Sequence, residues 1–221
     1  MKMKLSKETV AIFKNFAGIN SNLLLKPGNK IATISSQKNV MADTVVTESF
    51  PSEFGVYDLN EFLGAMSIFE DPELTFTEKF VTIKQGGRSI KYFAAAADVL
   101  VAPQKAITFP TAEVNFTMTA EQLDMIRKTA SVLRSDDLSI VGDGSTIMAV
   151  VGDKKNVTGN SFSEQVGTTD LSFKVNLKVE NLKMLPGDYA VSVSSKKISR
   201  FKGTGDLVYY VAVEADSTFE A

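Results

Sequence analysis

The feature that most constrains this chain is a repeat in the order of its predicted elements. Segments with helical spacing begin near positions 7, 58, 119 and 177, and strand-like alternation fills most of the sequence between them. The order helix, strands, helix, strands therefore occurs twice, at an offset of about 110–120 residues. Each half is the size of an ordinary domain, so the 221 residues divide into two. The alternative is one continuous domain in which the spacing is incidental.

The first helical segment, Lys7 to about Ala17, places Val10, Phe13 and Ala17 on one face, with Ser6 as its N-cap. The second begins at Asp58, with Glu61 at capping-box spacing and Leu59, Phe62, Leu63 and Met66 as its stripe, and stops at Asp71-Pro72. The third opens on Thr119 and Gln122, a T-x-x-Q box, followed by Leu123, Ile126, Ala130 and Leu133. The fourth, about Leu177 to Leu185, carries Val179 and Leu182 and ends at Pro186-Gly187. Runs such as Leu171-Phe173-Val175, Tyr189-Val191-Val193 and Leu207-Tyr209-Val211-Val213 alternate with period two and predict half-buried strands. Glycine turns at Gly28, Gly86-Gly87, Gly142 to Gly144 and Gly203 to Gly205 join them into antiparallel hairpins. The class is α+β with two helices in each half, and Phe54-x-Val56 leads into the second helix as Phe173-x-Val175 leads into the fourth. Val101 to Pro110 has two prolines and no helical period. The expected layout is an N-terminal domain at 1–103, an extended connector at 104–110 and a C-terminal domain at 111–221.

Cysteine and histidine are both absent, which excludes disulfides, thiolate or imidazole metal sites, cysteine nucleophiles and Ser-His-Asp triads. No metal or cofactor is expected, and the composition favours binding or structure over catalysis. A hydrolase built on Asp136 and Asp137 is the enzyme alternative. Asp143-Gly144-Ser145 lacks the spacing and terminal glutamate of a calcium loop, and the glycine clusters match no phosphate-binding motif. Asn115-Phe116-Thr117 and Asn156-Val157-Thr158 have glycosylation spacing, but the N-terminus has no apolar secretion core. No apolar run is long enough to span a bilayer, so the chain reads as cytosolic, without a membrane partner.

Net charge is only −2, so any attraction to a polyanion must be local. Positive charge does cluster on helices. Lys7 and Lys14 share one side of the first helix, opposite Phe13, with Lys4 on the lead-in. Arg127, Lys128 and Arg134 lie away from Leu123 and Ile126, and Lys174, Lys178 and Lys183 surround the fourth segment against Glu180 alone. The second helix carries Asp58, Glu61 and Glu70 and no base. Solvated helix faces look like this too.

Five ordered stretches resemble the sliding clamp, or DNA polymerase processivity factor, of large tailed bacteriophages. They are MKLSKETVAIFKNFAGINSNLLLKPG from Met3, VYDLNEFLGAM from Val56, AAADVLVAPQKAITFP from Ala95, NLKMLPGDYAV from Asn181 and YYVAVEADST from Tyr209. The region from about Ser135 to Asp170 is much less recognisable. The resemblance implies two similar clamp-type domains per chain, antiparallel sheets with two helices each, and a homotrimer closed as a six-domain ring around double-stranded DNA. It implies phosphate contacts from Lys4, Lys7, Lys14, Arg127, Lys128, Arg134, Lys178 and Lys183. It also implies a polymerase C-terminal peptide docked in an apolar pocket by the connector, where Val99, Val101, Ile107 and Phe109 are candidates that ordinary strand packing would explain equally well. Further implied partners are an ATP-driven clamp loader and a sigma-like factor of late transcription, in the cytoplasm of an infected bacterium. Geometry agrees: a 110-residue domain approximates a sphere roughly 34 Å across, and six in a ring leave a hole of about that width, wider than a duplex. A symmetric β-rich virion or scaffold protein without DNA is the competing reading.

Overall fold

The computed structural model describes residues 2–156 and 158–219. Met1, and the Val157 of the Asn156-Val157-Thr158 tripeptide, lie outside the described residues. The chain forms two compact units, Met1–Ala106 and Ile107–Ala221.

In the first unit the order is β1 (Lys2–Met3), α1 (Lys7–Ile19), β2 (Leu23–Leu25), β3 (Gly28–Ile34), β4 (Val40–Phe50), β5 (Phe54–Val56), α2 (Leu59–Ser67), β6 (Glu73–Phe76), β7 (Phe80–Gln85) and β8 (Arg88–Phe93). All pairings are antiparallel: β1, β6, β7 and β8 lie side by side in that order, β3 pairs with β4, and β2 with β5. α1 starts at Ser6, whose Oγ accepts the Thr9 N–H at 3.1 Å. Its buried face is Thr9, Phe13, Phe16 and Ile19, while Val10 and Ala17 are half-buried. The expected stripe is thus rotated, because Phe16 and Ile19 both reach the core. The Phe13 ring lies 6.4 Å from Phe50 of β4 and 6.5 Å from Phe62 of α2, so one aromatic cluster ties helix to helix and helix to sheet. Truncating such a ring to alanine costs about 3–5 kcal/mol. α2 is capped by Asp58, which accepts the Asn60 and Glu61 N–H groups, and it buries Leu59, Phe62 and Met66.

A Cβ on Gly55 would stand 2.3 Å from the Ala95 carbonyl oxygen. Without one, Ala95 donates its N–H to Gly55 at 2.9 Å and the chain from Ala95 settles against β5, where Leu100 is buried. This close approach positions the segment that ends the first unit.

The second unit runs β9 (Val114–Met118), α3 (Ala120–Leu133), β10 (Asp137–Asp143), β11 (Thr146–Gly152), β12 (Ser161–Thr168), β13 (Ser172–Lys178), β14 (Tyr189–Ser194), β15 (Ile198–Lys202), β16 (Val208–Ala212) and β17 (Thr218–Phe219). One sheet has the order β12-β11-β10-β13-β17, and β9, β14, β15 and β16 pair successively in another. α3 carries the full reciprocal capping box between Thr119 and Gln122 and buries Leu123, Ile126 and Ala130.

The fourth expected helix does not form. Residues 172–178 instead extend along β10, from Asp143↔Ser172 to Asp137↔Lys178. Val175 and Leu177 are buried on one face, and Asn176 is buried on the other, bonded to Ser139 Oγ at 2.7 Å and Asp216 at 3.1 Å. Only a single 3₁₀ turn, Val179–Asn181, follows. Beyond it, carbonyls that a helix would use internally accept from side chains. Arg127 donates to Leu182 and Met184, each at 2.9 Å, and the Tyr189 hydroxyl donates to Leu185 at 2.6 Å. Tertiary partners therefore override a sequence pattern of helical period. The described residues contain three α-helices, two in the first unit and one in the second.

Candidate nucleic-acid interface and partner groove

α1 carries the least encumbered positive charge of the candidate set. Its orientation is fixed by the Ser6 cap and by Glu48 on β4, which accepts both the Ser6 N–H and the Thr9 hydroxyl. Burial alone would push the Glu48 carboxyl up, but these hydrogen bonds outweigh it and hold the group below its ordinary value. With the buried face turned inward, Lys7 and Lys14 stand exposed two turns apart. Together with Val10 and Ala11 they form one wall of a groove of about 420 Å³, whose other wall is Leu63, Met66 and Ser67 of α2 with Glu70 and Asp71. Among the described residues neither lysine has an ion-pair partner.

Lys4, Lys128 and Lys178 are committed to ion pairs. Lys4 pairs with Asp71, so part of the acidity near α2 is neutralised locally. Lys128 pairs with Asp124 one turn earlier at 2.6 Å, and that hydrogen bond, helped by the same charge, raises its pKa. Arg134 is the C-cap of α3 in the left-handed conformation, φ 52°, and its side chain is exposed. Lys178 stands on strand β13, not on a helix; it bonds Asp137 at 2.6 Å, which raises its pKa against the opposing effect of burial. Lys183 is exposed in the loop after the 3₁₀ turn.

Arg127 departs most from expectation. It stands one turn after Leu123, half-buried at the margin of the apolar stripe and not away from it, and its guanidinium turns onto the Leu182 and Met184 carbonyls. Burial lowers its pKa, opposed by the nearby Tyr189, Asp124 and Tyr209. It is a clamp on the 182–185 loop, with its Nε and Nη2 donors spent inside the unit.

A second groove, of about 320 Å³, sits in the first unit where the chain leaves it. Leu24, Pro27, Ala32, Met41, Ala102, Pro103 and Ala106 give it apolar walls, and Lys26, Lys30, Asp43, Gln104 and Lys105 supply the polar groups. Cross-strand pairing of Ala32 with Asp43 brings β3 and β4 together there. None of the four expected pocket residues lines it. Val99 is 58% exposed and Val101 37%, with the Val101 backbone tied to Asn20 and Asn22. Ile107 and Phe109 belong to the second unit, and Phe109 packs 6.3 Å from Tyr210 under the Arg200 guanidinium, 4.7 Å away. The groove was illegible because its lining comes from separate segments whose adjacency depends on strand register. Lys26-Pro27-Gly28 announced only a turn.

Of the residues suspected of catalysis or cation binding, Asp137 and Asp143 have other uses, and Asp136 accepts the Val179 N–H through its backbone carbonyl. Asp137 is held by Lys178 and lies 3.9 Å from Lys154, itself paired with Asp216 at 2.8 Å. Asp143 accepts the Ser145 and Thr146 N–H groups, which lower its pKa and close the turn. Among the described residues no cluster of acids has metal-binding geometry, and no helix is long and apolar enough to cross a membrane.

Each unit independently finds a counterpart. Residues 6–109 match the family model for the DNA polymerase processivity factor, and residues 115–215 match that for the gp45 sliding clamp, C terminal. The sliding clamp of Vibrio phage KVP40 is 36% identical over 96% of this chain and all of its own length. That of Enterobacteria phage T4 is 33% identical over 99% of this chain and all of its own. Among solved structures, A. fulgidus PCNA bound to the C-terminal region of FEN-1 shares the fold, with TM-score 0.72 at 14% identity over 98% of this chain and 99% of that one. The Helicobacter pylori beta clamp bound to a DNA ligase peptide has TM-score 0.66 at 15% identity, over 96% of this chain and 66% of that one. Fold and matches together define a protein with two clamp-type domains. The chain belongs to the phage sliding clamp family and is a DNA polymerase processivity factor, not an enzyme.

Proposed function

We propose that three copies of this chain close head to tail into a ring that encircles duplex DNA without reading its sequence. The ring tethers the replicative polymerase, with residues 104–110 as the connector between the domains. The observation that carries the reading is the α1 surface, where Lys7 and Lys14 stand exposed on one side with no ion pair among the described residues. Two such lysines per subunit suit loose, water-mediated phosphate contacts, and few tight contacts leave little to break as a ring translates. Lys128, Arg134 and Lys183, with the paired Lys4 and Lys178, are the further phosphate contacts of this reading; Arg127 contributes by holding its loop.

Head-to-tail closure is supported by two unlike sheet edges. β8 ends one sheet and carries Arg88 and Lys91, while β12 ends another and carries Glu164. An exposed edge seeks a partner strand, and dissimilar edges favour a heterologous contact that can close a ring. The groove beside Ala102 to Ala106 is the proposed seat of a polymerase C-terminal peptide, in place of Val99, Val101, Ile107 and Phe109. Solved clamps of this fold with bound FEN-1 or ligase segments support that use. Loading by an ATP-driven clamp loader, support of late transcription through a sigma-like factor, and action in the infected host's cytoplasm complete the proposal.

The test combines sedimentation with topology. A trimeric mass is expected, along with retention on a nicked circle after loading with ATP and the cognate loader, and loss from the same DNA once linearised. A monomer at every concentration, or equal loss from both templates, overturns the ring.

A further inference from the structure

The groove at the end of the first unit has a charge pattern that its apolar walls do not require. Three lysines, Lys26, Lys30 and Lys105, border it against one acid, Asp43. Lys30 is already paired with Asp43 at 3.4 Å, and that carboxylate is 13% exposed. Lys26 and Lys105 are exposed, come from separate segments, and among the described residues have no ion-pair partner. The groove therefore carries an excess of two positive charges on a chain whose net charge is −2. A small local basic rim on a net acidic protein steers and selects by sign. The cavity is at the small end of binding sites, which suits a few side chains of an extended segment and not a folded domain.

We propose that Lys26 and Lys105 are specificity-determining residues, which select peptides that combine large apolar side chains with carboxylates over neutral or basic peptides of equal hydrophobicity. The inference rests on the reading of this groove as the peptide seat. Apolar side chains fill the space among Leu24, Ala32, Met41 and Pro103, and carboxylates on the same segment reach the two lysines. Asp43, held by Lys30, does not compete for them. A basic peptide would meet Lys26 and Lys105 unshielded and be rejected.

The experiment is fluorescence anisotropy on the full-length protein with two fluorescein-labelled decapeptides. Both contain two Phe and two Leu in a Ser/Gly background; one adds two Asp and the other two Asn. At low salt the Asp peptide is expected to bind about fivefold more tightly, as two partly exposed ion pairs allow, and the ratio should approach one in high salt. Lys26→Glu/Lys105→Glu, at exposed positions outside the core, should abolish or invert the preference. Leu24→Arg and Ala106→Trp, which obstruct the groove itself, should abolish binding of both peptides. If those obstructing variants abolish binding but the Asp and Asn peptides bind alike, the charge selection is wrong and the groove reading survives. If both peptides bind and neither obstructing variant matters, the groove reading fails and takes the selection with it. Absence of binding by both peptides counts against both. Equal weakening of both peptides by the double charge reversal assigns the lysines a structural role and overturns the proposal.

Discussion

Arg127 and Lys128 are neighbours in sequence and opposites in use. Lys128 has an exposed partner at 2.6 Å and little to lose, since solvent screens an ion pair at the surface. Arg127 satisfies two carbonyls in a loop that has no ladder of its own. Removing it leaves those acceptors short of donors, a cost of about 2–3 kcal/mol, whereas Lys128→Ala should leave the unfolding midpoint unchanged. Denaturant midpoints of Arg127→Ala and Lys128→Ala check this, and equal midpoints would remove Arg127 from its role as a clamp. Helical spacing puts Lys128 on the solvent side of α3 and Arg127 at the margin of the apolar stripe, one turn after Leu123. Helical spacing gives the direction of a side chain but not its partner, and Arg127 finds its partner some 55 positions along the chain.

At the scale of elements, helix starts were the most legible feature. Ser6, Asp58 and Thr119 cap α1, α2 and α3 as their spacing implies, because capping is settled within one turn of chain. Helix ends and strand choices depend on more. Arg134 closes α3 in a left-handed conformation that side chains resist, at about 1 kcal/mol, and glycine would adopt it freely. Arg134→Gly should therefore raise the melting temperature by about 2–4 °C while weakening retention on circular DNA, if the side chain serves the phosphates as proposed. A stabilised variant with undiminished retention would confine Arg134 to its structural position. The segment 177–185 shows the converse: its apolar spacing was helical, yet β10 claimed its first residues and Arg127 and Tyr189 claimed later carbonyls.

For the whole molecule, the proposed ring separates assembly from DNA holding. β8 and β12 would serve the first and α1 the second, so Lys7→Glu/Lys14→Glu is expected to leave the sedimented mass unchanged. The same variant should shorten residence on a closed circle by about tenfold at low salt, with a shallower salt dependence. Dissociation of the assembly in that variant would place α1 at a subunit contact instead. What the sequence determined alone was whatever local geometry decides: the alternation of strands, the three capped helices, the duplication and the exclusion of cysteine and histidine chemistry. Tertiary structure decided which repeat kept its second helix, which cations remained unpaired, and where a groove opened between β3, β4 and the chain from Ala102 to Ala106. The physical reason is the range of the interactions. Capping and periodicity act within a few residues, while ladder register, ion pairs and cavity walls join positions that only the folded chain brings together.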